Sequence, residues 1–195
     1  MLPETKEEIM VEVLGNLLSV GRGLHIQPEE KDSSNLKNDN ISQAYLLNYD
    51  DIKNYSYNLS NTLEVKAERK KEVYVNLEKR YKNQIPRNFD IVMPQRSFYF
   101  EARLLYFEGK QEHNYIYSND TLYLRNISPD KVDIRYILHL LKTQKVRDII
   151  NNVDDKRSRR CRIENIKIDL PDINTQRKIV TQLEKLQMKF EDLIK

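Results

Sequence analysis

Between Asp172 and Lys195 the chain has neither Gly nor Pro, and Ile179, Leu183, Leu186, Phe190 and Leu193 recur at steps of 4, 3, 4 and 3. Those steps return an apolar residue to one side of an α-helix at each turn, which is the pattern of a coiled-coil seam. A continuous helix over this stretch would be about 36 Å long at roughly 1.5 Å per residue. An apolar stripe of that kind predicts packing against another helix. Residues 172–195 are therefore expected to form a dimerisation helix that follows a domain over residues 1–171.

The preceding residues lack that long period. AYLLNYDDI, EVYVNLEKRY, FDIVMPQRSFYF, ARLLYFE and YIYSNDTLYLRNI are short, rich in Tyr, Phe, Val, Ile and Leu, and separated by polar turns, so they predict strands. Ser128-Pro129-Asp130 offers helix-start chemistry, and Ile134, Ile137, Leu138, Leu141, Ile149 and Ile150 are spaced for burial along one helix or a broken pair. Residues 154–162 read as a charged loop, and Ile163, Ile166 and Ile168 lead into a closing strand before Pro171. Near the start, apolar residues from Ile9 to Leu18 predict a short helix or strand, ended by a tight loop at Gly21-Arg22-Gly23. The polar run at 27–40 reads as a surface loop. The fold class expected is α+β, with a mostly β portion, a helix-bearing portion and the long C-terminal helix.

Charge bears on partners through its distribution. The net charge of +3 is small, but residues 1–50 carry 4 basic and 9 acidic side chains while 51–195 carry 29 and 21, so the basic surface lies downstream. That asymmetry permits binding to phosphate and equally suits a solvated face. A lone Cys161 allows no internal disulfide and no Cys-based zinc site, which fits a cytoplasmic protein. The acidic N-terminus lacks an apolar export segment, and the apolar run at 136–141 is interrupted by His139, so no membrane span is expected. His25, His113 and His139 have no ligand-like spacing, and neither a nucleotide-cradling Gly-rich loop nor an NPP[FY]-like tetrapeptide for amino-methylation occurs. No metal, no cofactor and no catalytic activity are expected.

Residues 166–180, IKIDLPDINTQRKIV, resemble the closing signature of type I restriction-modification specificity subunits: an apolar strand, Pro, an apolar residue, then Gln before a basic-Ile-Val helix opening. Those roles fall on Ile168, Pro171, Ile173, Gln176, Ile179 and Val180. VEVLGNLLSVGRG resembles the family's opening, NFDIVMPQRS its GDIL-type strand and loop, and SNDTLYLRNISPDKVDIRYILHLLKTQKV its strand-then-helix module. Asn88-Phe89 stands where the family usually has Gly, so the turn before that strand is expected to be built differently. The resemblance implies a single target-recognition domain, or half-subunit, that binds double-stranded DNA and catalyses nothing. It implies partnership with methyltransferase and restriction subunits on a bipartite target, and a homodimer through the C-terminal helix.

Two basic clusters are the leading candidates for DNA contact. Lys66, Arg69, Lys70, Lys71 and Arg80 lie in a stretch interleaved with Tyr, and Lys156, Arg157, Arg159 and Arg160 lie in a run at 156–162 that holds no acid. Such side chains neutralise phosphates, and Arg also grips guanine. Gln95, Arg96 and Ser97 follow the DIVM strand, where they could meet a phosphate or a base edge. Arg22 between two glycines reads as an ordinary tight turn, with close backbone approach to a phosphate as the sharper alternative, and Gln43, Tyr45, Asn48 and Tyr49 read as ordinary strand and loop residues, with base-edge contact as theirs. Competing functions are a helix-mediated interaction protein and a free-standing DNA-binding regulator. A metal-dependent nuclease built on Asp51, Glu64 and Lys66 ranks last, because Glu-x-Lys occurs five times and singles out none of them.

Overall fold

The structure, a computed structural model, describes residues 10–26, 41–52, 71–78, 81–96, 101–105, 113–152 and 154–194. The mixed α+β class is borne out, with strands through the middle of the chain and helices after residue 133. The expected loop at 27–40 lies outside the described residues. The chain divides into two compact units, one made from its two ends (residues to Ser19 and from Asn126) and one from Val20–Arg125.

In the first unit, β1 (Met10–Val13) pairs antiparallel with β9 (Lys167–Leu170), so that Met10 faces Leu170 and Val13 faces Lys167. A single helical turn, α1 (Leu14–Leu17), follows, and its Leu14 N–H donates to the Ile166 carbonyl at 2.9 Å. The expected helical segment is a broken pair. α2 (Ile134–Leu141) starts at Asp133, whose carboxylate accepts from the Arg135 N–H, and α3 (Gln144–Asn151) follows a break at Lys142-Thr143. Ser128-Pro129-Asp130 forms the turn ahead of α2, with Lys131 and Val132 N–H donating to the Ser128 carbonyl, so the helix begins a few residues later than its start signal. α2 buries Ile134, Tyr136, Ile137, Leu138 and Leu141.

The 154–162 segment departs from the loop expected. Ser158 caps the N–H of Cys161 and opens α4 (Arg159–Glu164), because a Ser hydroxyl at a helix start satisfies a donor that otherwise has no partner. α5 (Ile173–Ile194) is the long C-terminal helix.

The opening of α5 explains the Gln in the closing signature. Gln176 is fully buried, its Nε2 donates to the Pro171 carbonyl at 2.7 Å and the Lys131 carbonyl at 2.8 Å, and its Oε1 accepts from the Asp133 N–H at 2.9 Å. One amide thus ties the end of β9, the start of α5 and the start of α2 together. Gln176→Leu keeps the volume and removes all three bonds. At about 1 kcal/mol for each buried bond removed, we expect unfolding to require about 2 to 3 kcal/mol less, read as a lower urea midpoint at unchanged slope.

The second unit holds two sheets. β2 (Leu18–Arg22), β8 (Thr121–Asn126), β5 (Ile91–Pro94) and β6 (Arg103–Leu104) form one in that spatial order, and β4 (Lys71–Val75), β3 (Ser42–Leu47) and β7 (Tyr115–Tyr117) form the other. β3 runs antiparallel to β4 and parallel to β7. β5 and β7 are buried along their whole length, which is why they read as unbroken apolar runs, whereas β4 buries only Val73 and Val75. Leu47, Ile52, Val92, Leu105, Tyr117 and Tyr123 form one core cluster, in which the rings of Tyr117 and Tyr123 stack at 4.8 Å. Ile26, Ala44, Val73, Val75, Tyr81 and Ile116 form a second.

A buried ion pair organises the turn before β5. Asp90 Oδ1 accepts from Arg125 Nε at 2.9 Å, and Oδ2 accepts from Arg125 Nη2 at 2.7 Å, Tyr117 Oη at 2.9 Å and the Arg87 N–H at 3.0 Å. Burial, and then the neighbouring Asp90 carboxylate, push the Tyr117 hydroxyl well above its ordinary pKa, so it stays a donor. Phe89, at the position where Gly was the usual residue, sits at φ 67. A side chain in this left-handed region costs roughly 1 to 2 kcal/mol, partly offset because Gly loses more freedom on folding. Phe89 is exposed, and Phe89→Gly is expected to raise the melting temperature, with a gain of up to about 1 kcal/mol in urea unfolding.

Candidate nucleic-acid interface

The end of the four-stranded sheet in the second unit gathers polar side chains onto a small rim. Gly21-Arg22-Gly23 is the end of β2 and the residue after it, which corrects the tight loop expected there. A Cβ on Gly21 would stand 2.2 Å from a ring carbon of Tyr123, and one on Gly23 would stand 2.0 Å from the Ser118 carbonyl oxygen. Side chains alternate along an extended strand, so the two glycines are pressed inward and Arg22 between them is exposed. The Gly23 N–H donates to the Thr121 carbonyl at 3.0 Å, which anchors this segment on the first residue of β8, next to the turn from β7.

Gln95 follows β5 and meets the same turn. Its backbone N–H donates to the Asp120 carbonyl at 2.7 Å. Its amide is assigned from its neighbours: only with the nitrogen toward the Asn119 carbonyl and the oxygen toward Arg22 Nη1, at 3.2 Å, does each face a complementary partner. Arg96, the next residue, is exposed. Asn119 Nδ2 lies 3.4 Å from His25 Nδ1, and beyond them opens a cavity of about 120 Å³ lined by His25, Asn119, Ser118, Lys71 and the apolar Leu24, Ile26 and Leu46. The Asp120 carboxylate is held by the Ser118 and Thr121 hydroxyls. Of the residues singled out from sequence, Gln95 and Lys71 are thus joined by Arg22, His25 and Asn119. The signal that could have found Arg22 was the pair of glycines around it, read as close packing instead of as a turn.

Other candidates have internal work. Tyr49 is buried, its hydroxyl donates to the Glu101 carbonyl at 2.8 Å, and burial pushes its pKa up to about 12 against the opposing pull of Arg103, which lies 4.1 Å over its ring. Asn48 Nδ2 and N–H both donate to Asp51 Oδ2, at 2.8 and 2.9 Å, which also commits the carboxylate cast as a metal ligand. Tyr45 lies at 5.1 Å from His113, edge to face, and within 3.5 Å of Glu72 and Gln43. Lys66, Arg69, Lys70, Arg80, Ser97 and Glu64 lie outside the described residues. Among the described residues no group of three or more His, Cys, Asp or Glu is placed to hold a metal ion.

The basic run at 156–162 belongs to the first unit, and acids just outside it take up part of its charge. Arg157 Nη2 bonds Asp155 at 2.7 Å, a contact that lowers the Asp155 pKa to about 2, and Arg160 Nε bonds Glu164 at 2.9 Å one turn on. Arg162 donates to the Ile150 and Asp155 carbonyls at 2.9 Å each and so ties α4 to the end of α3. Arg159 is half-buried, reaches Asn151 Oδ1 at 3.1 Å, and has its pKa lowered by burial and by Arg162. Lys156, Arg157 and Arg160 are exposed. A phosphate would therefore meet a helix face of mixed charge.

The arrangement defines a class first: a strand-rich unit with a polar rim and a helical unit that ends in a long helix, a fold of the type found in S subunits of type I restriction-modification systems. The chain matches the crystal structure of the HsdS subunit from Thermoanaerobacter tengcongensis with a TM-score of 0.60 at 14% identity, over 98% of this chain and 41% of that one. It matches a chain in a structure described as the "complex assembly" and "conformational transition" of the type I R-M system with a TM-score of 0.57 at 14% identity, over 98% of this chain and 42% of that one. The resemblance expected from the sequence is thus borne out in the fold, and the chain spans about two fifths of the length of the chains it matches. No protein-family model and no curated protein sequence matches it. No helix among the described residues is long and apolar enough to cross a membrane.

Proposed function

We propose that this chain is a target-recognition module of a type I restriction-modification specificity subunit, which binds duplex DNA by sequence and leaves the chemistry to other subunits. The observation that carries the reading is the fold, matched over 98% of the chain by an HsdS subunit. Because fold alone does not make function, the reading also draws on the rim where half-buried Gln95 meets the exposed Arg22, Arg96 and Asn119. Phosphate contacts fall to Lys71 and to Lys156, Arg157, Arg159 and Arg160, with Lys66, Arg69, Lys70, Arg80 and Ser97 completing the set proposed from sequence. A methyltransferase subunit and a restriction subunit would join this chain on a bipartite target, in the cytoplasm. The two recognition modules of that target would be held apart by paired C-terminal helices.

The test is methylome sequencing of cells that express the chain with a cognate methyltransferase. A single recurring motif is the expected result. Its absence, with both proteins present and soluble, overturns the reading. In vitro, Lys156→Ala with Arg160→Ala is expected to weaken binding to every duplex alike and to reduce the log-log salt slope by about two, close to one for each phosphate left without its cation. An unchanged slope removes Lys156 and Arg160 from the proposed phosphate contacts. The exposed stripe on α5 gives some support to the interaction-protein reading as well, and salt-dependent DNA binding separates the two.

A further inference from the structure

We propose that Arg22 is a specificity-determining residue that reads the major-groove edge of a guanine, and that Gln95 is the positioning residue that aims it. The inference rests on the DNA-recognition reading above and adds which base is read and by what.

The backbone under Arg22 is clamped. Neither flanking glycine has room for a Cβ, since Tyr123 and the Ser118 carbonyl lie 2.2 and 2.0 Å from where it would stand. A side chain that leaves such a segment loses little backbone freedom on binding, which is the condition for a geometrically exacting contact. The guanidinium is aimed as well. Gln95 is fixed through its backbone on the Asp120 carbonyl at 2.7 Å, and its amide spans from the Asn119 carbonyl to Arg22 Nη1 at 3.2 Å. A guanidinium is a planar fork with five donors, so one bond to Nη1 sets the plane in which the others lie.

The neighbours select a base edge over a phosphate. A phosphate needs donors and positive charge only, whereas this rim sets acceptors among its donors: the Asn119 amide and the His25 imidazole 3.4 Å from it each carry both. The exposed Asp120 carboxylate beside Asn119 would repel a phosphate. Among base edges, guanine alone presents two acceptors side by side, O6 and N7, matching the Arg fork.

The experiment is selection from a library of randomised duplexes, with the full chain and with Arg22→Ala, Arg22→Lys, Gln95→Ala and Gln95→Glu, each checked for an unchanged melting temperature. Arg22→Ala should lose discrimination at one guanine by roughly tenfold to a hundredfold while the other positions stand, and Arg22→Lys should restore only part of it. Gln95→Ala should relax the same guanine by about threefold to tenfold, and Gln95→Glu, which keeps an oxygen for Nη1 but gives up the donor to the Asn119 carbonyl, should restore only part of it. A motif that Arg22→Ala leaves intact, or uniform weakening across all sequences with the salt slope reduced by about one, overturns the inference and leaves the recognition reading standing. Gln95→Ala that lowers the melting temperature without touching the guanine overturns the positioning role. No motif from the unsubstituted chain overturns the recognition reading and this inference together.

Discussion

Asp90→Ala is expected to lower the free energy of unfolding by about 3 to 5 kcal/mol, the usual cost of removing one partner from a buried ion pair. Asp90 is 1% exposed and the Arg125 side chain 12%, so water cannot replace the missing carboxylate cheaply. The guanidinium would keep its bond to the Ile85 carbonyl at 2.8 Å and lose both of its bonds to the carboxylate. The Tyr117 hydroxyl, kept protonated by burial, would lose its acceptor, and the Arg87 N–H its cap. Domains of this size are stable by only about 5 to 15 kcal/mol, so the loss should be plain in a urea midpoint. The chain has twelve Tyr and no Trp, and Tyr fluorescence, with Tyr117 and Tyr123 stacked at 4.8 Å, is a suitable signal. Asp90→Asn keeps two polar atoms and should cost clearly less. Equal losses for the two substitutions would show that the charge, which both remove, carries the whole effect and that the shape and polar atoms kept by Asn carry none of it.

The second large effect concerns association. α5 buries Gln176 and Val180, half-buries Ile179, and joins α2 through Arg135, whose Nη1 lies 3.4 Å from Glu184. Farther along, Leu186, Phe190 and Leu193 are 62%, 64% and 84% exposed, with Leu183 at the transition. An apolar stripe so exposed gains by covering itself, at about 25 cal/mol for each Å² removed from water, and the heptad spacing suits a second helix of the same kind. We expect Leu186→Asp with Phe190→Asp to leave the melting temperature of the isolated chain in place, because neither side chain belongs to its core. The same pair should abolish self-association and, with it, tight binding to a bipartite target. The 22 residues of α5 span about 33 Å. Two copies packed antiparallel would separate recognition modules by close to one turn of B-DNA, about 34 Å. Sedimentation that finds the unsubstituted chain monomeric at high micromolar concentration would sink self-pairing and leave the stripe to another subunit.

Much of the architecture was legible locally. The heptad steps from Ile179 to Leu193 foretold α5, and the apolar, aromatic runs at 44–47, 91–94 and 115–124 foretold strands, because burial periodicity is written residue by residue. The surroundings of the candidate residues were less legible, for physical reasons. At 156–162 the eye sees five cations, but Asp155 and Glu164 lie just outside the run, and only the helical turn begun at Ser158 brings Glu164 beneath Arg160. Gly21 and Gly23 look like turn formers, since a glycine made necessary by a close neighbour has the same letter as one needed for its torsion angles.

By itself, then, the sequence determined the strands through the middle of the chain, the amphipathic C-terminal helix and the likeness to a specificity subunit, since these follow from spacing and from motifs contiguous in the chain. Tertiary structure alone decided that Arg22, Gln95, Asn119 and His25 share one rim. It alone decided that Asp90 and Arg125, 35 residues apart, form a buried pair, and that Gln176 binds backbone groups 43 and 45 residues away. The reason is physical: hydrogen bonds and ion pairs depend on distances of a few ångströms between side chains, and such distances between remote residues exist only after the sheets and helices have packed.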